Sequence, residues 1–551
     1  MAELAVSSTD TVKLIRPQAV IARAKTAVTA FIGRALKGPL NQPVRLQGFD
    51  DYRRVFGGLW QPSTLSYAIE QFFENGGEEC LVVRVCNGGR APTLRLATEP
   101  GAQTGAGVAG AAGAVGAAGG ATHAPAAALT LIGLAPGTRE FLRASVDYDG
   151  IEASDTDRFN LVVQRVRTPG SELIEEQEIF RRISIRPGAE RSVLAALTAS
   201  RLVRVLGALP PSRPARSASA PPAVGYTGSS DDGDDGEPLT SYDIIGEADK
   251  GTGLFALQNT EPFSLLCIPP LTRERDVALP ALLVALRLCR ERQAMLLLDP
   301  PLDWTDAATA CRNLRSWPFF SEDALMFYPR ITAFDRLRGR EEIFACAPSA
   351  AGLLAQASAR RPVWSAAADD ELLLRAGMRP SVLLSDLDQL RLTQAGVNVL
   401  QAQRAAQRSR LGLRTLRPEA AGRSDWRFAS ARRLALFIMT SVEQGTRWAL
   451  FEPAGPALWG ELCTQVTGFF AALQDEGAFV GARAEDSYFV ICDQRLNDPA
   501  RASGGGGGVQ LLIGFAIVRP GEFHTCLVDH RHAGSSVRAV SVNRWALPRP
   551  V

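Results

Sequence analysis

Apolar positions along this chain gather in short runs separated by stretches of helical period, and the rhythm changes three times. Val28 to Gly33 (VTAFIG) is a continuous apolar run of strand length. After a Gly/Pro loop and the segment Gly48 to Val55, Leu65, Ile69 and Phe72/Phe73 recur at helical spacing. They predict a helix from about Ser63 to Glu74 that Asn75-Gly76-Gly77 terminates. Cys80 to Val85 (CLVVRV) follows as a buried strand, so the first compact unit, 27–100, reads strand, helix, strand.

Ahead of it, residues 1–26 are polar, weakly patterned and carry Pro17, which suits an extended arm. From 101 to 128 the chain is nearly all Gly and Ala, a composition that cannot offset its ordering entropy by burial and reads as a linker. Between 129 and 207, short alternating segments (LTLIGL, RASVDYD, RFNLVVQRV, EIFRRISI) separated by Pro, Gly and Asp predict a small antiparallel β-rich module. A Pro/Ser/Asp stretch, 208–238, reads as the second flexible joint.

From 239 to 423 apolar strands alternate with helices: Phe263 to Ile268, helix 279–292, Ala294 to Asp299, helix 305–315, then Met326 to Ile331. That order predicts an α/β sheet with helices on its faces. A further unit, 424–529, has helices near 428–443 and 456–474. Its strands are expected near Trp448 to Phe451, Tyr488 to Cys492, Leu511 to Val518 and Phe523 to Val528. The tail, 530–551, carries strand-like Val537 to Val542 and trailing prolines, and reads as a second arm. The fold class is thus multidomain α/β with an inserted β-rich module.

Composition narrows the function classes. With 551 residues, 46% apolar and 21% charged, the chain is an ordinary globular protein of several units. A net charge of +2 argues against a nucleic-acid partner, which needs clustered unopposed Lys and Arg. Nine scattered cysteines, with no CxxC pair, read as buried apolar residues in a reducing compartment. The N-terminus lacks a secretory pattern, and the richest apolar window, 278–289, is too short to span a bilayer, so assembly in the cytoplasm is expected and membrane insertion is not.

Candidate chemistry is sparse. Asp299 ends the apolar run AMLLLDPP as a Mg²⁺-holding carboxylate would, but no phosphate-binding loop accompanies it; Lys250 precedes rather than follows its glycines. His524, Cys526, His530 and His532 are zinc-type ligands without a standard spacing, and His123 lies in the Gly/Ala stretch. The acidic run Asp231 to Glu237 lacks the ligand order of a calcium loop. No nucleophile elbow is present. These residues predict no enzyme, no cofactor and no metal; a nucleotide hydrolase using Asp299 is the remote alternative. The strongest charge feature is basic: Arg404, Arg408, Arg410, Arg414, Arg417, Arg423, Arg427, Arg432 and Arg433, opposed only by Glu419 and Asp425. Arg favours paired carboxylate contacts at interfaces, with a solvated surface as the plain alternative.

Two series of motifs carry a resemblance. The first is Phe31-Ile32-Gly33-Arg34-Ala35-Leu36-Lys37-Gly38-Pro39, then Phe56-Gly57-Gly58-Leu59 and Phe72-Phe73-Glu74-Asn75-Gly76-Gly77, leading into Val82-Val83-Arg84-Val85. The second runs from Ala395-Gly396-Val397-Asn398-Val399 through Arg432-Arg433-Leu434, Phe451-Glu452-Pro453 and Leu458-Trp459 to Val518-Arg519-Pro520-Gly521-Glu522-Phe523. Together they resemble the contractile tail sheath proteins of phages and related injection systems.

The resemblance implies a tube-proximal α/β core built from both chain ends, with the β-rich module facing outward. It also implies a structural subunit that polymerises with itself, with six-fold symmetry, around an inner tube, and that meets baseplate and terminator or cap proteins; a non-contracting adaptor of the same particle is the alternative. Candidate contacts to tube or neighbour are Arg427, Arg432, Arg433 and Glu443. Candidate arm strands are Thr11, Val12, Lys13, Leu14 and Ile15 at one end and Val537, Arg538, Ala539 and Val540 at the other. A Pro-Gly-Val-Tyr opening common in the family is missing, and five glycines, 504–508, stand where relatives carry a short turn.

Overall fold

The structure is a computed structural model that describes residues 20–99, 127–218, 225–365, 373–400, 412–418, 424–497, 508–531 and 534–541. The Thr11 to Ile15 candidate strand, His123, His532 and most of the Gly/Ala stretch lie outside the described residues.

The first apolar run becomes β1 (Thr29–Gly33), buried at every residue. A strand with no polar alternation needs cover on both faces. It is followed by β2 (Val44–Leu46), α1 (Phe49–Phe56), α2 (Thr64–Glu74) and β3 (Cys80–Arg84). The Ser63 side chain caps α2 by accepting from Ser66 N. At its other end Asn75 and Gly76, the latter at φ +89°, close the helix, with Gly76 N donating to Phe73 O and Gly77 N to Phe72 O.

The inserted module comprises β4 (Thr93–Ala97), β5 (Ala128–Gly133), β6 (Phe141–Asp147), β7 (Arg158–Val166), β8 (Ile174–Ser184), α3 (Val193–Thr198), β9 (Val203–Val205) and β10 (Thr227–Gly228). Two antiparallel sheets, ordered β4-β5-β9 and β10-β6-β7-β8, enclose one core that includes Leu94, Leu131, Leu142, Phe159 and Leu161.

The chain then completes the sheet it began. After α4 (Ser241–Ile245) come β11 (Leu265–Cys267), α5 (Leu279–Glu291), β12 (Met295–Leu298), α6 (Ala307–Leu314) and β13 (Ala324–Tyr328). A three-stranded sheet of β14 (Ile331–Asp335), β15 (Arg340–Phe344) and β16 (Arg379–Pro380) surrounds α7 (Ala347–Arg360) in the sequence; α8 (Asp386–Gln394) and β17 (Val397–Val399) follow. The large sheet runs β17-β13-β12-β11-β1-β3-β2, parallel except for β2. Alternate residues go to opposite faces. Phe31, Cys267 and Leu297 pack under α2 and α7, whereas Ile32, Leu266 and Leu296 pack in the core that includes residues of α5 and α6.

The last unit has α9 (Ala429–Gly445), a 3-10 helix (Arg447–Phe451), α10 (Pro456–Asp475), α11 (Ala484–Ser487), and the antiparallel sheet β18 (Tyr488–Ile491), β19 (Gly508–Phe515), β20 (His524–Arg531), β21 (Gly534–Ala539). Ile21, from the start of the described chain, is buried in its core, so residues from both ends of the described chain share this unit.

Four expectations need correction. Thr93–Ala97 pairs with β5 and belongs to the module rather than to 27–100, so the Gly/Ala stretch joins two partnered strands inside the module and is not a joint. The described parts of the 208–238 segment, 208–218 and 225–238, are tied down: Arg213 bonds Glu99 and the Asp155 carbonyl, and Asp231, Asp234 and Glu237 bond residues 87–93. The run Met326 to Ile331 divides at Pro329–Arg330 into strands of two sheets. Trp448 to Phe451 lies in a 3-10 helix, because Thr446 and the ring of Trp448 face the sheet and α10 from a tight turn.

Candidate assembly surfaces

The motif residues of the first half converge on the joint between core and module. Arg84, at the end of β3, is 2% exposed and donates to the carbonyls of Ala35 (3.1 Å), Gly38 (2.6 Å) and Pro136 (2.5 Å). Burial pulls its guanidinium below the ordinary arginine value, and Glu140 opposes the shift. Buried Glu140 accepts from Gly38 N at 2.7 Å and from Arg165 Nε at 2.9 Å. Gly38 has φ +100°, and a Cβ there would meet Val55 O at 2.7 Å, which explains glycine at this position. Arg34 donates to the carbonyls of Asp235 and Gly236 and lies 4.7 Å over the Trp60 ring; Lys37 pairs with Glu175. The module is therefore clamped to the core by buried charge and backbone bonds.

The four candidate contacts to tube or neighbour belong to the C-terminal unit, and three are committed within the chain. Arg432, on α9, pairs with Asp323 at 2.6 Å; Asp323 is 2% exposed and also takes Arg290. Arg433 donates to Thr26 O (3.0 Å) and Ser358 Oγ (2.7 Å), tying α9 to the N-terminal segment and α7, and burial pulls it down to about 10. Glu443 is buried and binds Arg447 through both oxygens, at 2.8 and 3.0 Å. Arg427 stacks on Phe428 at 4.9 Å, as Arg414 does at 4.5 Å, and Arg417 pairs with Glu322. Of the candidate tube or neighbour contacts, Arg432, Arg433 and Glu443 are thus paired within the chain. α9 is buried along most of its length, so its arginines point into the core–C-terminal interface.

Val537, Arg538 and Ala539 lie in β21, paired in register with Val528, Leu527 and Cys526 of β20, and Val540 N bonds Thr525 O. The candidate strand is formed, and in this chain it pairs with the chain's own sheet. β18 and β21 are the outer strands of that sheet, and each leaves one edge without a partner among the described residues. Residues 537–541 line a cleft of about 900 Å³ between this unit and the core, whose opposite wall carries Arg290, Glu322 and Asp323.

The remaining chemical candidates have structural positions. Asp299 Oδ1 accepts from Cys346 N and Ala347 N at 2.7 Å each, capping α7; burial raises its carboxyl above the usual range. His524 lies 4.0 Å from the Trp426 ring and 3.4 Å from Asp425. His530 bonds Thr446 and Ser535. Among the described residues no group of His, Cys, Asp and Glu could hold a metal ion, and no helix is long and apolar enough to cross a membrane. Sequence reasoning passed over Glu140 and Asp323; each is one acid in a loop or at a strand entrance, with no spacing to single it out.

No family model and no curated protein matches the chain. Solved structures do. The sheath tail protein of Listeria innocua is 11% identical with a TM-score of 0.52, over 93% of this chain and 96% of that one. The sheath of an extracellular contractile injection system, the PVC sheath complex in its contracted state, is 14% identical with a TM-score of 0.50, over 95% and 97%. Over 93–95% of its length, the chain has the fold of these sheath proteins.

Proposed function

We propose that this chain is the structural sheath subunit of a contractile tail or injection particle. It polymerises helically, with six-fold symmetry, around an inner tube and drives that tube through a target envelope by contracting. The observation that carries this reading is the likeness of fold over nearly the whole chain to sheath proteins, one of them in a contracted assembly. The open edges of β18 and β21 support it, since a strand edge binds a neighbour's segment through backbone bonds that tolerate rearrangement elsewhere. On this reading 1–26 and 530–551 are the arms, and the particle's baseplate and cap proteins meet the sheath's ends.

Contraction then needs two packings of one subunit, the extended one kinetically trapped. A gain of about 1–2 kcal/mol per subunit, one or two good contacts, would drive the step in a long polymer without nucleotide. The test is negative-stain microscopy of the full chain expressed alone and with its tube protein. Tubes of sheath dimensions are expected. Soluble monomers at every concentration, with no co-purifying tube, would refute the reading, and a single ring per particle would make the chain an adaptor.

A further inference from the structure

Two thiols of the C-terminal unit meet where α10 packs on β18. The Phe470 ring of α10 stacks on the Tyr488 ring of β18, with centroids 5.2 Å apart and planes inclined by 14°. Two helical turns before Phe470, Cys463 lies on the same side of α10, about 10.5 Å back along its axis. Four residues beyond Tyr488, Cys492 lies on the same face of the extended chain, about 13 Å further on. Tyr488, Val490 and Cys492 share the core that holds Phe470, and Cys463 packs against it. Helix and strand therefore run in opposite directions and set the two cysteines facing each other. The Cys463 thiol donates to the carbonyl oxygen of Cys492 at 3.8 Å.

Both cysteines are free; Cys463 is half-buried and Cys492 is buried. Cys492 Sγ lies 3.4 Å from Gln510 O on β19 and 3.7 Å from Asn497 Nδ2, which donates to it. A free cysteine in a core usually serves as a small apolar side chain. This pair differs in that one thiol touches the other residue across two elements and is itself partly open to solvent.

We propose that Cys463 and Cys492 are a latent cross-link, joined as an intramolecular disulfide when the chain meets a low-molecular-weight disulfide as oxidant. Cys463, the more accessible, reacts first: its thiolate attacks one sulfur of the oxidant, forming a mixed disulfide and releasing one small thiolate. Cys492 then gives up its proton and attacks Cys463 Sγ, and the second small thiolate leaves. The pair loses two electrons and two protons, and the oxidant is reduced to two thiols. Closing the bond brings the sulfurs to about 2.05 Å, a movement of side-chain rotation because one thiol already touches the other residue. Burial raises both thiols, Cys492 to about 12, so exchange is slow at neutral pH and faster in mild alkali. The ring closed by the bond ties α10 to the end of β18, an outer strand of its sheet, and restricts the unfolded chain, so the oxidised form is the more stable. The cross-link does not depend on the sheath reading; on that reading, a particle that leaves a reducing compartment gains the staple.

The test is incubation of the folded full chain with oxidised glutathione at pH 8.5, acid quench, alkylation of remaining thiols under denaturing conditions, and peptide mapping by mass spectrometry without reduction. The peptide of Cys463 is expected to be joined to that of Cys492 within one monomer, with the loss of two hydrogens and the other cysteines alkylated. The melting temperature is expected to rise by several degrees and to return on full reduction with a dithiol. Cys463→Ser and Cys492→Ser are each expected to abolish both changes. The proposal is overturned if both thiols remain alkylated after a day, if glutathione stays on Cys463, or if either cysteine pairs elsewhere or between copies. A bond that forms only in denaturant, or one that lowers the melting temperature, overturns it equally. Should either serine variant fail to fold, the map and melting curves of the wild-type chain, oxidised against reduced, decide.

Discussion

Arg84 Nη1 donates to the carbonyl oxygen of Gly38 at 2.6 Å, in a joint where the guanidinium also reaches Ala35 and Pro136. One side chain thus satisfies carbonyls of the core's first loop and of the module. Arg84→Met keeps the aliphatic bulk and leaves those acceptors buried without donors, each costing about 1–3 kcal/mol. Lysine cannot replace the planar fork. We expect Arg84→Met to lower the melting temperature by several degrees and to raise hydrogen exchange at 136–140 before it does so in α9. Unchanged exchange there would show that the joint does not depend on Arg84.

A second prediction concerns two glycines in helices. A Cβ at Gly352, in α7, would lie 2.3 Å from Phe72 O, so α2 and α7 touch through backbone. Gly352→Ala must separate them, at a cost of about 1–3 kcal/mol. A Cβ at Gly460, on the exposed side of α10, meets nothing, and Gly460→Ala should stabilise by about 0.5–1 kcal/mol. Melting curves of the two variants should move in opposite directions.

Much of the fold was legible because burial on both faces writes itself as apolar runs: VTAFIG, CLVVRV and AMLLLDPP all became strands of the parallel sheet near their expected bounds. The helices at 63–74, 279–292 and 456–474 were equally clear from period and caps. What failed was long-range pairing. Nothing local says that Thr93 to Ala97 pairs with a strand starting at Ala128, so low complexity between them looked like a domain joint. The place of Arg432 was not legible for a related reason: spacing shows charge but not its partner, and Asp323, some hundred residues earlier in the chain, turns Arg432 inward.

The Arg432–Asp323 pair predicts strong coupling. Asp323 is buried and serves arginines of α5 and α9 together. Asp323→Asn leaves Arg432 facing a neutral partner, and Arg432→Met leaves a buried carboxylate with Arg290 alone. In a double-mutant cycle read by chemical denaturation, the coupling energy should be about 1–3 kcal/mol. A value near zero would mean that the core and C-terminal unit are held together by their apolar contacts.

Asp299 makes a prediction about pH. Its carboxyl is raised in the folded chain, burial being the largest cause, so the folded state binds its proton more tightly than the unfolded state does. The stability this confers is present below the unfolded value and is lost as pH rises through the folded one. Asp299→Asn keeps an oxygen for Cys346 N and Ala347 N and removes the titration. The stability of Asp299→Asn relative to wild type should therefore increase between pH 4 and 7, and Asp299→Ala, which removes the same titration, should follow the same slope about 1 kcal/mol of capping below Asp299→Asn. On the same grounds 1 mM Mg-ATP is expected to leave the melting temperature unchanged; a clear rise would revive a nucleotide site at this strand end.

The position of the Gly/Ala stretch gives the last prediction. Ala97 and Ala128 are direct register partners, and Thr98 N and Oγ1 both donate to Ala127 O, so the chain ends of this loop already touch. Beyond Thr98, Glu99 is still required, since it takes Arg213. Removing residues 102–124 leaves four residues to turn the corner, enough for an antiparallel connection. Because closing a shorter loop costs less entropy, the shortened chain should be as stable as wild type or more stable by about 1 kcal/mol. If the stretch were instead the joint between core and module, its removal would pull β4 from β5 and expose Leu94 and Leu131, which lie in one core. Hydrogen exchange of β4, β5 and β9 separates these outcomes: retained protection places the stretch inside the module, and its loss would restore the reading as a joint.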